Sequence, residues 1–313
     1  MKISTIVPAF NCEPFLRRAV ESLLATNYPN LQIVIVDDGS HDGTLALAHT
    51  LQSESPSVIQ VLTHPGGVNR GVSASRNLGI DASDGELIAF LDADDFVYPW
   101  RFESAVAELA ANSDVDGVHQ VSQVVFSDGE SSRQWWGGEY TLFGFTAVVP
   151  ASEILETLLR GCCWATSAIL FRRRLLAVTG KFHESLRTCE DCHLWFRMAA
   201  SGRLISGDLS RPVSAYYRRS DSAFQPSPRQ RITMIRAMTS FYDWLRTHDP
   251  AHSQLPIVST CIAKYILNGI VMARDAGDRG LAWQLASRGT IWFPQLLRYR
   301  ELYGHVSHLA LMH

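Results

Sequence analysis

Three aspartates stand within four residues of the chain, at Asp92, Asp94 and Asp95. Carboxylates this close repel one another unless a cation or solvent compensates their charge. Mg²⁺ and Mn²⁺ prefer oxygen ligands, and such ions commonly take one or two protein carboxylates together with substrate phosphates. A solvated acidic turn that caps the next helix would have the same composition. The cluster therefore predicts either a divalent-metal site or a capping turn, and its position in the fold must decide.

Two further polar segments have the residue types that bind parts of a nucleotide. The run Asp37-Asp38-Gly39-Ser40 offers carboxylates to a base N–H or a ribose hydroxyl, although a turn with a helix cap has the same composition. Residues 71–79 lead into a predicted helix whose first N–H groups could bind phosphate. Arg76 could pair with a diphosphate or with neighbouring acids. The segment is not a G-x-G-x-x-G, so the fingerprint of a dinucleotide site is not met.

The pair Glu190-Asp191 stands at the start of a predicted amphipathic helix that includes Trp195. Acids at a helix start often only cap the helix. A carboxylate that faces a substrate has instead the chemistry of a general base for an acceptor hydroxyl. The pair is therefore a candidate catalytic site with a structural alternative.

The six cysteines lie at positions 12, 162, 163, 189, 192 and 261. Cys189 and Cys192 form a CxxC, which is compatible with redox chemistry or with half of a metal site. Together with Cys162-Cys163 they allow a four-thiolate zinc site, but adjacent cysteines match the usual two-residue gap poorly. Small buried thiols in a reducing cytosol are the simpler interpretation.

The first ~95 residues alternate between predicted strands and helices. The strands are predicted at 3–7, 31–36, 58–62 and 86–91, and the helices at 13–25, 44–52 and 72–82. Apolar strands that alternate with helices indicate a parallel sheet covered on both faces. Right-handed crossovers place the carboxyl ends of these strands at one edge, where ligands bind. The turns at 8–11, 37–40 and 92–95 are therefore expected to meet in one crevice.

The rest of the chain is less regular. Helices are predicted at 100–111, 152–159 and 191–200, strands at 117–126, 168–171 and 213–217, and loops with short strands at 131–149. From residue 229 the pattern is helical, with breaks near 249–250 and 277–278, so we expect a loose domain boundary near 225.

Composition excludes some classes of function. The chain has 313 residues, 46% hydrophobic and 19% charged, with a net charge of -3, so no basic excess points to nucleic acid or acidic lipid. The N-terminus lacks the pattern of a signal peptide. No stretch reaches the roughly 18 uncharged apolar residues of a membrane span, and Leu255 to Ala273 is expected to be an amphipathic or buried helix. We expect a cytoplasmic protein, with possible contact at the inner face of the membrane.

Six segments in this order resemble the family 2 glycosyltransferases. They are residues 6–11 (IVPAFN), 35–44 (IVDDGSHDGT), 71–79 (GVSASRNLG), 84–95 (DGELIAFLDADD), 180–184 (GKFHE) and 190–197 (EDCHLWFR). The resemblance covers about residues 1 to 220 and implies an α/β fold of the GT-A type. This fold has a Rossmann-like, mostly parallel central sheet with helices on both faces, followed here by a C-terminal helical extension. It would divide the chain into a catalytic domain (1–225, with a nucleotide-binding half at 1–95 and an acceptor half at 96–225) and a helical region (226–313).

The resemblance also implies an activity, namely inverting transfer from a nucleotide-diphospho-sugar, with a UDP-sugar favoured, to a glycan or lipid-linked acceptor in cell-surface or exopolysaccharide synthesis. Mn²⁺ or Mg²⁺ would be the cofactor, with Asp94 as its ligand and Asp191 as the catalytic base. Arg76 would face the diphosphate and Asp92 the ribose, while Asp95 is expected to begin the next helix. The donor side as a whole would comprise Pro8, Phe10, Asn11, Asp38, Arg76 and Asp92, and further candidates are Glu190, Trp195, Arg218 and Arg219.

The chain departs from the family pattern at two places and lacks one signature. Residue 183 is a histidine where the family often has aspartate, and Arg219 stands where a related loop often carries histidine. Arg218 or Arg219 could hold phosphate or could simply be solvated. No Gln-x-x-Arg-Trp follows Asp191, so one sugar per encounter is expected rather than processive synthesis.

Two other functions compete with this interpretation. Nucleotidyltransferases usually carry a glycine-rich basic loop after the first strand, where this chain has Asn11-Cys12-Glu13-Pro14. An inactive sugar- or nucleotide-binding module would have lost the metal or base carboxylate, and both Asp94 and Asp191 are present. The aromatic and basic residues of 283–300 fit either an interfacial helix at a membrane or a helix packed on the catalytic domain or on a second copy.

Overall fold

The computed structural model describes residues 1–126, 141–218, 228–249, 251 and 253–298. The chain divides into two compact units. The first comprises Met1–Ile154, Cys162–Arg187 and Ser201–Ser222, and the second comprises Leu155–Gly161, Thr188–Ala200 and Ala223–His313. The predicted boundary near 225 falls at 219–227, outside the described residues, and stays a prediction.

The described strands all belong to the first unit. They are β1 (Ile3–Ala9), β2 (Leu31–Asp37), β3 (Ile59–Thr63), β4 (Leu87–Phe90), β5 (Phe96–Val97), β6 (Gly117–His119), β7 (Ser122–Phe126), β8 (Thr141–Phe143), β9 (Ile169–Arg172), β10 (Leu204–Ser206) and β11 (Ser214–Arg218). The helices are α1 (Glu13–Leu24), α2 (Thr44–Glu54), α3 (Val72–Ala82), α4 (Glu103–Ala111), α5 (Ile154–Leu159), α6 (Leu176–Thr179), α7 (Glu190–Ser201), α8 (Pro228–His248), α9 (Leu255–Asp275) and α10 (Arg279–Trp292).

Seven strands form the central sheet, in the order β10-β6-β9-β4-β1-β2-β3. All neighbours are parallel except at β9, which runs antiparallel to both β4 and β6. The alternation of strands and helices in the first 95 residues therefore folds as predicted, and α3 has the predicted bounds. The carboxyl ends of β1, β2, β3 and β4 lie at one edge of the sheet.

The central strand β1 is buried along its whole length and packs helices on both of its faces. Val7 belongs to the same core cluster as Leu16 and Leu23 of α1, so one face of the sheet is covered by α1. Side chains of a strand point alternately to opposite faces, and Ile6 therefore points away from α1. There it meets α3, whose Gly79 approaches so closely that a Cβ would lie 2.5 Å from Ile6 Cγ2. Hence α1 and α3 cover opposite faces.

A second sheet has the order β5-β11-β7-β8, and its existence corrects one prediction. The run 117–126 is not one strand but two, because β6 belongs to the central sheet and β7 to the second sheet. The change occurs at Gln120, whose buried side chain accepts from Arg101 Nη1 (3.1 Å) and donates to Ser104 Oγ (3.0 Å). Strands β5 and β10 were not predicted, because two or three residues carry no readable period.

The second unit is helical in its described part. Phe196 of α7 packs on Phe241 of α8 with ring centroids 5.5 Å apart, and Gln254 Nε2 donates to the Ala200 carbonyl at 3.0 Å. Asp278 caps α10 by accepting the Leu281 N–H. Among the described residues, α9 is the helix long and apolar enough to cross a membrane by length and composition. Core helices of soluble proteins pass the same test, and 44% of its most apolar stretch is buried.

His119, at the end of β6, is a titratable group enclosed by aromatic rings. It is fully buried, stacks on Trp164 with centroids 4.7 Å apart and meets the edge of Phe145 at 4.8 Å. Its Nε2 lies 3.3 Å from Ser206 Oγ. Burial penalises the charged ring and lowers the pKa of His119 from 6.5 to about 4.

Acidification should therefore destabilise the first unit. The folded pKa of His119 lies below the unfolded value, so the unfolded chain binds the proton more tightly. The stability that depends on the neutral ring is complete above about pH 6.5 and is lost as the pH falls towards 4. Between pH 7 and pH 5 this should remove about 2 kcal/mol from the free energy of unfolding, measured by urea denaturation.

A His119→Gln variant is the matched control for this measurement. Its free energy of unfolding should change less over the same interval, while every other titrating group affects both proteins alike. Equal pH dependence of the two proteins would contradict the assignment to His119.

Candidate active site

The loops that follow β1 and β2 are fixed to each other. The Asn11 N–H donates to Ser40 Oγ at 3.0 Å, and Asn11 Oδ1 accepts the His41 N–H at 2.8 Å. Asn11 has a φ of 48°, a left-handed conformation that asparagine tolerates better than most residues. Phe10 is 45% exposed, and its ring meets His41 edge-on at 6.4 Å. The predicted donor residues Phe10 and Asn11 thus lie at the accessible end of β1.

Pro8 is buried in β1 and explains why β4 separates from β1 at this edge. In a parallel ladder successive residues direct their backbone groups to alternate neighbours. The Ala9 carbonyl accepts the Asp38 N–H on the β2 side, and the Ile6 carbonyl accepts the Leu91 N–H on the β4 side. Pro8 therefore faces β4 but has no N–H to donate, so the β1–β4 ladder ends there. The acidic turn begins directly beyond this point.

The two aspartates at the end of β2 have different tasks. Asp37 Oδ2 accepts the N–H groups of Gly39 and Ser40, both at 3.2 Å, and so forms the turn. The buried Asp38 carboxylate reaches the segment before α3, where it accepts the N–H groups of Arg70 (2.7 Å) and Gly71 (2.9 Å). Each carboxylate oxygen can accept a second hydrogen bond. The predicted contact of Asp38 with the nucleobase is compatible with these bonds and stays a prediction.

His64 belongs to the same group but was not singled out from the sequence. It follows β3 and is buried, with Nε2 3.4 Å from Asp38 Oδ1 and 2.9 Å from Ser75 Oγ of α3. His64 could have been identified from its position at the carboxyl end of a parallel strand, where ligands bind. This criterion selected Asp38 and Asp92.

Arg76 of α3 holds Asp92 by an ion pair. Arg76 Nη2 lies 2.6 Å from Asp92 Oδ1, and the guanidinium stands 5.1 Å from the centre of the Phe182 ring. The Arg76 side chain is only 3% exposed, whereas Asp92 is 32% exposed. The structure thus brings together two residues that the sequence predicted for the same site, with Asp92 on the accessible side.

The following residues of the turn alternate between buried and partly exposed. Ala93 and Asp95 are buried, and Asp94 is partly exposed. The Asp94 carbonyl accepts a hydrogen bond from Arg18 Nη2 of α1 at 2.9 Å. Arg18, an exposed residue, was not identified from the sequence, because its partner is a backbone oxygen that no motif encodes.

Asp95 does not begin a helix, so that prediction was wrong. Strand β5 follows it instead, and Asp95 Oδ1 accepts the Tyr217 N–H of β11 at 2.8 Å. Burial raises the pKa of the Asp95 carboxyl well above its ordinary value, and the carboxylates of Asp92 and Asp94 raise it further. Asp95 is therefore a structural link between the acidic turn and the second sheet.

The carboxylates of the turn fit a divalent ion that takes some of its ligands from the protein and the others from a substrate. Asp92 and Asp94 are two partly exposed carboxylates, which matches the few protein ligands that Mg²⁺ takes beside phosphates. Within the described ranges, no three His, Cys, Asp or Glu side chains are grouped to hold a metal by themselves. All six cysteines are free thiols. Within the described ranges they do not form a cluster that could hold a metal, so a four-thiolate zinc site has no support.

The remaining candidates lie elsewhere in the chain. Glu190 and Asp191 form the first turn of α7 in the second unit, where Asp191 Oδ1 accepts the Cys192 N–H at 2.7 Å. Glu190 is buried and Trp195 is fully buried. Arg218 ends β11, but its side chain, like the whole of Arg219, lies outside the described residues.

Comparison with known proteins identifies the family. The family model described as "Glycosyl transferase family 2" matches residues 4–173, which is more than half of the chain. The chain belongs to glycosyl transferase family 2. An uncharacterized glycosyltransferase from Nostoc sp. is 34% identical over 176 residues, which are 56% of this chain and 52% of that protein. The chain spans only 32% to 58% of the lengths of the curated relatives it matches.

Solved structures confirm the predicted GT-A fold. TarS from S. aureus in complex with UDP-GlcNAc has a TM-score of 0.69 at 18% identity, over 94% of this chain and 82% of that chain. A mannosyltransferase from Pyrobaculum calidifontis in complex with GDP-Man and Mn²⁺ has a TM-score of 0.53 at 16% identity, over 99% of this chain and 87% of that one. At these identities the likeness establishes the fold alone.

The close approach of Gly39 to the segment before α3 predicts a position-specific loss of stability. A Cβ on Gly39 would lie 2.7 Å from the Gly67 carbonyl oxygen and 2.8 Å from the Asn69 nitrogen. Both are backbone atoms, and Gly39 also has a φ of 76°. Gly39→Ala should lower the free energy of unfolding by about 3 kcal/mol, because backbone strain and overpacking add. Urea denaturation measures the loss.

Gly66→Ala is the matched control, since Gly66 has the same φ of 76° but open space around its Cα. It should cost about 1 kcal/mol, the price of the left-handed conformation alone. Equal losses in the two variants would show that packing of Gly39 against residues 67–69 contributes nothing.

Proposed function

We propose that this chain transfers a sugar, with inversion at the anomeric carbon, from a nucleotide-diphospho-sugar to an acceptor hydroxyl. One observation carries the proposal: Asp92 and Asp94 stand partly exposed at the carboxyl edge of a parallel sheet, with Asp38, His64 and Arg76 fixed at the same edge. Similarity to structures that contain UDP-GlcNAc or GDP-Man supports a nucleotide-sugar donor, and a UDP-sugar is favoured.

The donor would bind along the strand ends. Phe10, with 45% of its surface exposed, offers a ring to the base, and Asp38 offers the remaining acceptor capacity of its carboxylate. Asp92, held by Arg76, would accept from a ribose hydroxyl. Because Arg76 is almost fully buried, its first task is to orient Asp92, and its proposed contact with the diphosphate requires the phosphate to approach closely.

Asp94 would hold Mn²⁺ or Mg²⁺ together with oxygens of the donor diphosphate. When bound, the ion supplies positive charge beside the leaving nucleoside diphosphate. Asp94 suits this task because the turn keeps it partly exposed while Ala93 and Asp95 on either side are buried.

Asp191 would act as the base of a single displacement. Its carboxylate takes the proton of the acceptor hydroxyl while that oxygen forms a bond to the anomeric carbon. The bond between the anomeric carbon and the phosphate oxygen breaks, and the nucleoside diphosphate leaves with the electron pair. Attack from the face opposite the leaving group inverts the configuration and needs no covalent intermediate.

The proposal includes a cellular setting. One sugar would be transferred per encounter, since no Gln-x-x-Arg-Trp follows Asp191. The resemblance to family 2 implies a glycan or lipid-linked acceptor, a cytoplasmic location, and a product used in cell-surface or exopolysaccharide synthesis. A nucleotidyltransferase and an inactive binding module are the competing functions, and both predict no transfer of sugar to an acceptor.

Substitution of either proposed functional carboxylate should slow transfer strongly without unfolding the protein. Asp94→Asn should lower kcat/KM for transfer at least 100-fold, because one metal ligand is lost. Asp191→Asn should lower kcat by a factor of about 10²–10⁴, the usual contribution of a general base. Release of nucleoside diphosphate in the presence of acceptor measures both.

Asp84→Asn is the control, since Asp84 is an exposed carboxylate that pairs with Lys2. Its kinetics should match those of the wild type. If transfer survives in both Asp94→Asn and Asp191→Asn, the proposed site is wrong.

A further proposal concerns the C-terminal helices, where Trp283, Ile291 and Leu297 are 40%, 72% and 47% exposed. Helix α10 also carries Arg279 and Arg288 but no acid. We expect this surface to contact either a membrane or a second copy of the chain.

A Trp283→Ser, Ile291→Ser variant should no longer sediment with anionic liposomes if the surface binds a membrane. It should be monomeric in light scattering if the surface forms a dimer. A wild-type protein that is monomeric and does not bind liposomes would contradict both alternatives.

A further inference from the structure

The segment that follows the acidic turn is tied to one face of α1. Arg18 Nη2 donates to the Asp94 carbonyl at 2.9 Å, and Ser22 Oγ accepts the Val97 N–H at 3.0 Å. Arg18 and Ser22 are four residues apart, so they lie on the same face of the helix. Together they fix both ends of the short stretch that begins with the proposed metal ligand.

Two aromatic rings fix the guanidinium of Arg18. Its Cζ lies 5.0 Å from the centre of the Phe96 ring and 4.7 Å from that of Tyr217. Tyr217 also donates its N–H to Asp95, so both neighbours of Arg18 belong to the structure that holds the turn. Arg18 is exposed to solvent, yet one hydrogen bond and two ring contacts restrict it.

Arg18 and Arg76 reach the turn from helices on opposite faces of the sheet. Asp92 is neutralised by Arg76 from α3, which covers the opposite face of the sheet from α1. Arg18 reaches the turn from α1, where its guanidinium donates to the Asp94 carbonyl at 2.9 Å. The turn is thus held from one face by Arg76 and from the other by Arg18.

We infer that Arg18 is a positioning residue for Asp94. This inference rests on the proposed function, in which Asp94 holds the metal. By fixing the Asp94 carbonyl, Arg18 keeps the Asp94 carboxylate oriented towards the accessible side. Arg18 touches no reacting atom. Its effect appears in the affinity for the metal and in the KM for the donor.

Mn²⁺ binding in the presence of UDP tests the inference, with free Mn²⁺ quantified by electron paramagnetic resonance. Arg18→Ala should weaken Mn²⁺ binding about tenfold, the effect of losing a hydrogen bond made by a charged group. Arg18→Lys should recover part of the affinity, because its ammonium group can still donate to the Asp94 carbonyl but lacks the planar group that contacts both rings.

Arg17→Ala is the matched control. Arg17 is the neighbouring residue of the same helix, and it pairs with Glu21 and Glu54 away from the turn. This variant should bind Mn²⁺ within about twofold of the wild type, since isolated surface pairs contribute little. Thermal unfolding of both variants verifies that they are folded. If Arg18→Ala does not fold, Arg18→Lys decides, and wild-type affinity in that variant overturns the inference.

The remaining outcomes separate the inference from the proposed function. Wild-type Mn²⁺ affinity in folded Arg18→Ala overturns the role of Arg18 alone. A wild-type protein that does not bind Mn²⁺ with UDP, or an Asp94→Asn variant that binds it equally well, overturns the metal site and the inference with it. If Arg18→Ala weakens UDP binding equally in EDTA, Arg18 contacts the donor directly, and the positioning role is wrong.

Discussion

The repulsion among three carboxylates in one turn is the constraint on which this site depends. Asp92, Asp94 and Asp95 can stand together only because each meets a different environment. Asp92 has an arginine partner, Asp95 is buried against a backbone N–H, and Asp94 is partly exposed. Burial and the neighbouring charges both raise the pKa of Asp95, so the turn already carries electrostatic cost before a ligand binds. A divalent cation would relieve that cost.

Several contacts of the surrounding fold fix the position of this turn. Pro8 ends the ladder between β1 and β4, and α1 and α3 then reach the separated segment from opposite faces through Arg18 and Arg76. On the other side of β1, Asp38 connects β2 to the start of α3 by two backbone hydrogen bonds. Most of these links are hydrogen bonds to backbone atoms, which fix the loops without using the exposed carboxylates.

The parallel sheet and the first three helices could be predicted from the sequence because apolar periodicity in this region is strong. The strand-end rule then selected Asp38 and Asp92, which the structure places at one edge. Short strands could not be predicted, as β5 has two residues and depends on pairing with β11 rather than on its own pattern. The change from one sheet to the other at Gln120 could not be predicted either, because a continuous apolar run does not indicate which strand each half pairs with.

Residues that act through backbone contacts were also missed. Arg18 looks like any exposed helix arginine, and its neighbour Arg17 has the same local sequence environment but pairs with surface acids. The role of Asp95 was misassigned for a related reason. Its carboxylate accepts the N–H of Tyr217, which lies 122 residues further along the chain. Membership of glycosyl transferase family 2 explains the order of the motifs, but it does not identify these contacts.

If the proposed function is correct, the acidic turn binds a nucleoside diphosphate and a divalent ion as one unit. Thermal unfolding with UDP alone, Mn²⁺ alone and both together tests it most directly, since a ligand of the folded state raises the melting temperature. With UDP and Mn²⁺ together we expect a shift in melting temperature that clearly exceeds the sum of the separate shifts. Additive shifts, or no shift with any nucleoside diphosphate, would contradict it.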